Sequence, residues 1–177
     1  MPVVHSKKKY AFNKITTMEM ELLVSRHFNY RTNLIVPNVS WGLFNHECDL
    51  IVVTPSGICS EIEIKISRSD LLADKKKTHA HGHENKIHKL WFAIPEYLEN
   101  CIEDIPRMAG VLMIGQDYGI KNIKVIRPPK LQYANKWNEK QFLELYRLAS
   151  MRTWTLKEKL FHLQESNRLN KINKNIT

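Results

Sequence analysis

The stretch HECDLIVVTPSGICSEIEIKISRSD, residues 46–70, constrains the fold more than any other part of the chain. Two apolar runs, LIVV and the isoleucines of EIEIKI, flank a TPSG turn, so the segment reads as a β-hairpin. Yet Glu47, Asp49, Glu61 and Glu63 interrupt both runs. A turn centred on Ser56 sets Asp49 opposite Glu63, Glu47 opposite Lys65 and Ile51 opposite Glu61. Strand side chains alternate between faces, so Glu61, Glu63 and Lys65 share one face and Ile62, Ile64 and Ile66 the other. The isoleucines are expected to pack on a helical layer, with the acidic face looking the other way. Two carboxylates about 4 Å apart repel by roughly 4 kcal/mol at an effective dielectric near 20. Solvent, protonation or a divalent cation relieves that repulsion, and Mg2+ characteristically uses one or two carboxylates with waters and substrate phosphates. Lys65 offsets part of the charge. The plainer reading is an edge hairpin with one solvated polar face, and a one-residue slip of the turn would move Asp49 to the opposite face.

Around the hairpin the chain alternates helices and strands. Thr16 and Glu19 form a capping-box pattern that opens a helix through TMEMELLVSRHF, which Asn29 and Asn33 help to end. NLIVPNVSW is extended, and its proline suits an edge or a strand end. After the hairpin, Ser67 or Ser69 caps a helix reaching His79, and THAHGHENKIHK is a loop. LWFAIP is a buried strand, PEYLENCIEDIP a short helix, and AGVLMIG and IKNIKVIRPP two strands joined by QDYG. A helix follows from Asn138 through EKQFLELYRLASM. A second capping box, Thr155 with Glu158, starts another after a break near Thr153, and the tail QESNRLNKINKNIT frays. This order predicts an α/β domain around a mixed sheet. Residues 1–15 form a basic arm, 16–135 the domain, and 136–177 a helical extension of it. Phe142, Leu145, Leu148 and Ala149, at helical spacing, cover the sheet or form a homodimer contact.

A chain of 177 residues with 43% hydrophobic content can bury one sizeable core, so two full domains are not expected. No apolar run of about 18 residues is present, which predicts a soluble, cytoplasmic protein with no membrane partner. Cys48, Cys59 and Cys101 are odd in number and lack a CxxC pair, so they read as small core residues rather than a disulfide framework or a structural zinc site. The charge, 27 − 18 = +9, attracts polyanions, nucleic acid first.

Asp49, then Glu63-Ile64-Lys65 on the next strand, with a helix carrying acidic residues before them and another helix after, resembles the PD-(D/E)XK nuclease superfamily. Cys48 stands where the proline of that motif would be. IVPNVSWG, HECDLIVV, EIEIKISRSDLLADKKK and LWFAIPEYL look like the MmcB-like DNA repair nucleases, over roughly residues 16 to 130. The resemblance implies a restriction-endonuclease-like α-β-β-β-α-β core with C-terminal helices, and metal-dependent hydrolysis of DNA in repair or recombination. It implies that Asp49 and Glu63, with the backbone carbonyl of Ile64, ligate Mg2+ or Mn2+, and that Lys65 orients or activates the attacking water. The superfamily often adds a glutamate from the first helix. Glu21 is preferred for that role over Glu19, which Thr16 engages.

The remaining residues carry weaker signals. Arg68, Lys75, Lys76 and Lys77 fit contacts to DNA phosphates, which confer affinity without sequence preference, or form a solvated helix end. Glu61 supports the site or is solvated, Glu47 pairs with Lys65 across the strands, and His46 borders the site or belongs to a solvated loop. His79, His81, His83 and His88 lack the i, i+4 spacing of familiar zinc sites. Trp41 and Trp137 could stack on bases, whereas Trp91 and Trp154 are expected to pack. Two other functions stay open: a catalytically inactive nucleic-acid-binding module on the same fold, and a metal-binding or interaction domain using the His79–His83 loop.

Overall fold

The computed structural model describes residues 14–40, 43–44, 46–75, 85–117 and 119–174. Helix α1 (Thr17–His27) precedes three strands, β1 (Leu34–Val39), β2 (Cys48–Val53) and β3 (Cys59–Ile64). Helix α2 (Arg68–Lys75), strand β4 (Lys89–Pro95), a 3-10 helix (Glu96–Asp104), strands β5 (Gly110–Asp117) and β6 (Ile120–Arg127), and helix α3 (Glu139–Lys174) complete the order. The six strands form one mixed sheet in sequence order, antiparallel at β1-β2, β2-β3 and β5-β6 and parallel at β3-β4 and β4-β5. The expected α/β domain around a mixed sheet is therefore what the chain forms. Two compact units are resolved, Met1–Asn138 and Glu139–Thr177.

Local chemistry sets the elements that carry the site. The Thr16 hydroxyl accepts the Glu19 amide while the Glu19 carboxylate accepts the Thr16 amide, the reciprocal box that starts α1. Asn29 ends it in the left-handed region (φ 53), and the Asn33 side chain donates to the Phe28 carbonyl. In the hairpin turn, Gly57 donates to the Thr54 carbonyl and adopts φ 83, a conformation that a side chain would strain. That turn fixes the pairs Leu50↔Ile62, Ile51↔Glu61, Val52↔Ser60 and Val53↔Cys59, the register expected for a centre at Ser56.

Both faces of the sheet are covered. On one, Leu50, Val52, Ile62, Ile64, Trp91, Ala93, Leu112 and Ile114 pack with Met20 and Val24 of α1. On the other, Leu90, Phe92, Ile94 and Val111 pack with Leu71 of α2 and with Leu98 and Cys101 of the 3-10 helix. The valine, leucine, isoleucine, phenylalanine and methionine side chains among them each contribute roughly 1.5–3 kcal/mol by leaving water. Trp91 fills the first face over its register partner Gly110, where an added Cβ would lie 2.4 Å from Trp91 Cε3 and 2.9 Å from Pro129 Cδ. The Trp91 ring, part of the core, cannot swing aside without opening it. Gly110→Ala should accordingly cost about 1–3 kcal/mol, read as a lower urea midpoint at unchanged slope; a midpoint equal to the parent's would show that the core has room to spare there.

Three expectations need correction. Helix α3 runs unbroken for 36 residues to Lys174, with neither a break near Thr153 nor a frayed tail before that point. The Thr153 and Thr155 hydroxyls donate to the Ala149 and Met151 carbonyls one turn back, so Thr155 is an interior residue rather than a cap. His88 belongs to no flexible loop: it is buried at the start of β4, where its Nδ1 accepts the Cys59 amide and its own amide donates to the Cys59 carbonyl. Burial, then the nearby Lys89 and Lys136 charges, lowers its pKa. Trp154, expected to pack, is 62% exposed, whereas Trp137, offered for base stacking, is buried with its indole N–H on the Lys86 carbonyl. Trp41, His79, His81 and His83 lie outside the described residues. Among the described residues no helix is long and apolar enough to cross a membrane.

Candidate active site

The edge-hairpin reading fails on position. β3 is a central strand, between β2 and β4, and every one of its residues is buried. Glu61, Glu63 and Lys65 are 0%, 4% and 6% exposed. Taking an ionised group out of water costs several kcal/mol unless it is paired and hydrogen-bonded, so solubility offers no reason for these three residues in this strand. A pairing or binding role does.

Lys65 supplies part of the pairing. Its ammonium donates to Glu63 Oε2 at 2.6 Å and stands 4.0 Å from Asp49 Oδ2. One cation thus lies within ion-pair reach of two carboxylates that arrive from adjacent strands. Glu47, expected opposite Lys65, is exposed.

Asp49 is aimed by a local distortion of the sheet. On the β1 side the register passes from Pro37↔Leu50 to Val39↔Cys48 and skips Asn38, which sits at φ 52, together with Asp49. On the β3 side the pairing ends at Leu50↔Ile62, one step short of the expected Asp49–Glu63 pair. In place of a strand carbonyl, the Asp49 carboxylate itself accepts the Ile64 amide at 2.7 Å. Such irregularities re-aim side chains at strand ends. A strand residue turns its N–H and C=O to the same edge, so the Ile64 carbonyl is directed to the Asp49 side as well.

The charges interact. Burial first, and then the Asp49 charge, raises the Glu63 pKa to about 7 despite the opposing pull of Lys65. Glu21 on α1 is also raised, by burial and then by Asp49, which places it in the field of the same cluster. Glu19 is occupied elsewhere: Lys121, then Thr16, lowers its pKa to about 2. Of the two α1 glutamates, Glu21 is the one whose titration the Asp49 charge shifts.

Of the expected site residues, Asp49, Glu63, Lys65 and Ile64 are brought together at the open end of the hairpin, and Glu21 lies near enough to Asp49 to feel its charge. Arg68 is exposed in the first turn of α2, three residues beyond Lys65, with Ser67 capping that helix through the Asp70 amide. The Lys75 side chain, Lys76 and Lys77 lie outside what the structure describes.

Sequence reasoning missed Tyr97, and it left His46 and Glu61 open between a place at the site and a solvated one. The Tyr97 hydroxyl donates to the Ile66 carbonyl at 2.9 Å and anchors the exit of the Lys65 segment to the 3-10 helix. The partnership spans 31 residues and leaves no local signal. His46 Nε2 lies 2.6 Å from Glu61 Oε1 and 3.4 Å from Cys48 Sγ, so neither His46 nor Glu61 is a solvated loop or surface group. Burial, followed by the Glu61 and Glu63 charges, pushes the Cys48 thiol well above its ordinary range.

No family model and no curated protein matches the chain. Among solved structures it is similar to the SPO1766 protein of unknown function from Silicibacter pomeroyi, with a TM-score of 0.60 and 17% sequence identity. That likeness covers 86% of this chain and 96% of the other and concerns the fold alone.

Proposed function

We propose that this chain is a divalent-metal-dependent nuclease that hydrolyses DNA phosphodiester bonds, on a restriction-endonuclease-like core of the PD-(D/E)XK type, in repair or recombination. The observation that carries it is the ammonium of Lys65 set between Asp49 and Glu63 in the middle of a sheet, where burial makes unpurposed charge costly. The order α1, β1, β2, β3, α2, β4 supports the same reading.

The donors suit a hard cation. Among the described residues Glu63 Oε1 is buried and has no hydrogen-bond partner, a lone pair that needs a positive group. Asp49 is 35% exposed in its side chain, open to ligand exchange. All-oxygen sites of this kind favour Mg2+ and Mn2+. Asp49 and Glu63 would hold the ion, with the Ile64 carbonyl as a backbone donor. Bound there, it supplies Lewis-acid polarisation of a phosphoryl oxygen and lowers the pKa of water.

The protein's own groups do the rest. The Ile64 amide holds the Asp49 carboxylate in one orientation. Lys65, gripped by Glu63, presents a fixed positive charge to the negative charge that develops on the phosphoryl oxygens, and it orients the attacking water. Glu21, whose raised pKa favours proton uptake, can accept a proton from that water. Arg68 and the net charge of +9 supply sequence-independent attraction to the DNA backbone.

The test incubates the full chain with labelled linear, nicked, flap and junction DNAs, in Mg2+, in Mn2+ and in EDTA, alongside Lys65→Ala. Cleavage of at least one DNA that requires both the metal and Lys65 is expected. Cutting that survives chelation and the substitution would overturn the mechanism, and tight binding without cutting in any condition would favour an inactive DNA-binding module.

A further inference from the structure

We propose that His46, Cys48 and Glu61 form a second cation site, distinct from the Asp49–Glu63 pair and built for a borderline-soft divalent ion, zinc foremost. The three residues come from the segment before β2, the start of β2 and the middle of β3. Their ligand atoms all lie within 4.8 Å of one another. With Zn–N about 2.0 Å and Zn–S about 2.3 Å, a tetrahedral ion needs its nitrogen and sulfur ligands about 3.5 Å apart and its nitrogen and oxygen ligands about 3.3 Å apart. The His46 Nε2 to Cys48 Sγ distance is 3.4 Å, already at that spacing. His46 Nε2 to Glu61 Oε1 is 2.6 Å and would have to open by about 0.7 Å. Rotation of the His46 side chain, the one ligand with some exposure (14%), can provide this.

Charge and softness point the same way. A thiolate and a carboxylate together balance a doubly charged ion, and both Cys48 and Glu61 are 0% exposed, where that balance matters most. Sulfur and imidazole select zinc over magnesium, while the all-oxygen set at Asp49 and Glu63 makes the reverse choice. The hairpin would thus sort two cations by ligand chemistry, on sites whose residues Cys48 and Asp49 are adjacent in sequence. Three protein ligands leave a fourth position for water or a further donor. An ion there ties the 46–48 segment to β3 beside Asp49.

The probe is Co2+ added to the metal-stripped full chain, followed by absorption. One equivalent is expected to give a thiolate-to-cobalt charge-transfer band with visible bands of four-coordinate intensity, and Zn2+ should displace it. His46→Gln and Glu61→Gln should weaken binding by at least about tenfold, Cys48→Ser should abolish the charge-transfer band, and Asp49→Ala should leave it in place. A chain with His79, His81 and His83 replaced by alanine should give the parental spectrum. Absence of the band in the parent, its persistence in Cys48→Ser, or its loss in the histidine-loop variant would overturn the site. Because a buried serine could unfold the chain, X-ray absorption of the zinc-loaded parent provides a test without substitution. One Zn–S scatterer at about 2.3 Å is expected, and a shell of nitrogen and oxygen alone would overturn the proposal.

Discussion

Asp49→Asn and Glu63→Gln should each slow DNA cleavage by about a thousandfold or more, about 4 kcal/mol of barrier at 1.36 kcal/mol per tenfold. Both changes keep the shape of the side chain and remove only the charge, so a loss of this size would belong to the charge. Asparagine at 49 can still accept the Ile64 amide, which the parent carboxylate accepts at 2.7 Å, so the hairpin end should stay in place. Glutamine at 63 can still accept from Lys65. Glu19→Gln provides the contrast: its parent carboxylate is committed to Lys121 and the Thr16 cap, and its cleavage rate should stay near that of the unsubstituted chain. Rates of Asp49→Asn and Glu63→Gln within tenfold of the parent, under single-turnover conditions, would remove both carboxylates from the chemistry.

The same Glu63→Gln change should make the metal-free protein more stable above neutral pH. The Glu63 carboxyl has its pKa raised from 4.5 to about 7, chiefly by burial. A carboxyl whose folded pKa exceeds its unfolded one binds its proton more tightly in the folded chain, so acid favours folding. The cost of ionising it is absent below about pH 4.5, grows through the window, and is complete above about pH 7. The whole window is worth about 3 kcal/mol. In EDTA, thermal stability of the parent should rise as pH falls from 8 to 5. Glu63→Gln should lack this contribution, so its advantage over the parent shrinks as pH falls from 8 to 5, and it should melt roughly 5–10 °C higher at pH 8. Below the window the trend reverses through groups such as Glu19, whose lowered pKa contributes stability that is lost as pH falls towards 2. Saturating Mg2+ at pH 8 should narrow the gap by stabilising only the ionised parent. A parent that loses stability between pH 8 and pH 5, or a glutamine variant that melts lower at pH 8, would contradict a strained buried charge at Glu63. Loss of activity with gain of stability is the signature of a site that holds charge against the preference of the fold.

Short-range rules made much of the hairpin legible. TPSG with its left-handed Gly57 fixes the register, period-two alternation puts Glu61 and Glu63 on one side, and the Thr16–Glu19 box marks the start of α1 and withdraws Glu19 from the site. What escaped depends on partners far along the chain. Whether EIEIK lies at an edge or at the centre is decided by β4, which joins β3 only after α2 and residues 76–88. Alternating charge looks the same in both places until that strand is paired. The departure at Asp49 was hidden for a related reason: the β1 pairing skips it opposite Asn38, which sits at φ 52, and the β3 pairing stops one step before it, neither of which the hairpin sequence announces. The closeness of His46 and Cys48 to Glu61 was missed because it joins residues 15 and 13 positions apart through folded geometry, with no CxxC or i, i+4 spacing to announce it. In α3, Thr153 and Thr155 carry the capping chemistry of a helix start but use it on carbonyls one turn back.

Direct titration of the metal-stripped chain with Mn2+, followed by electron paramagnetic resonance of the free ion, reads the convergence of Asp49 and Glu63 without requiring a substrate. One ion bound per chain is expected, retained in Cys48→Ser and lost in the Asp49→Ala, Glu63→Gln double variant. Undiminished Mn2+ binding by a folded double variant would show that the two carboxylates do not share an ion.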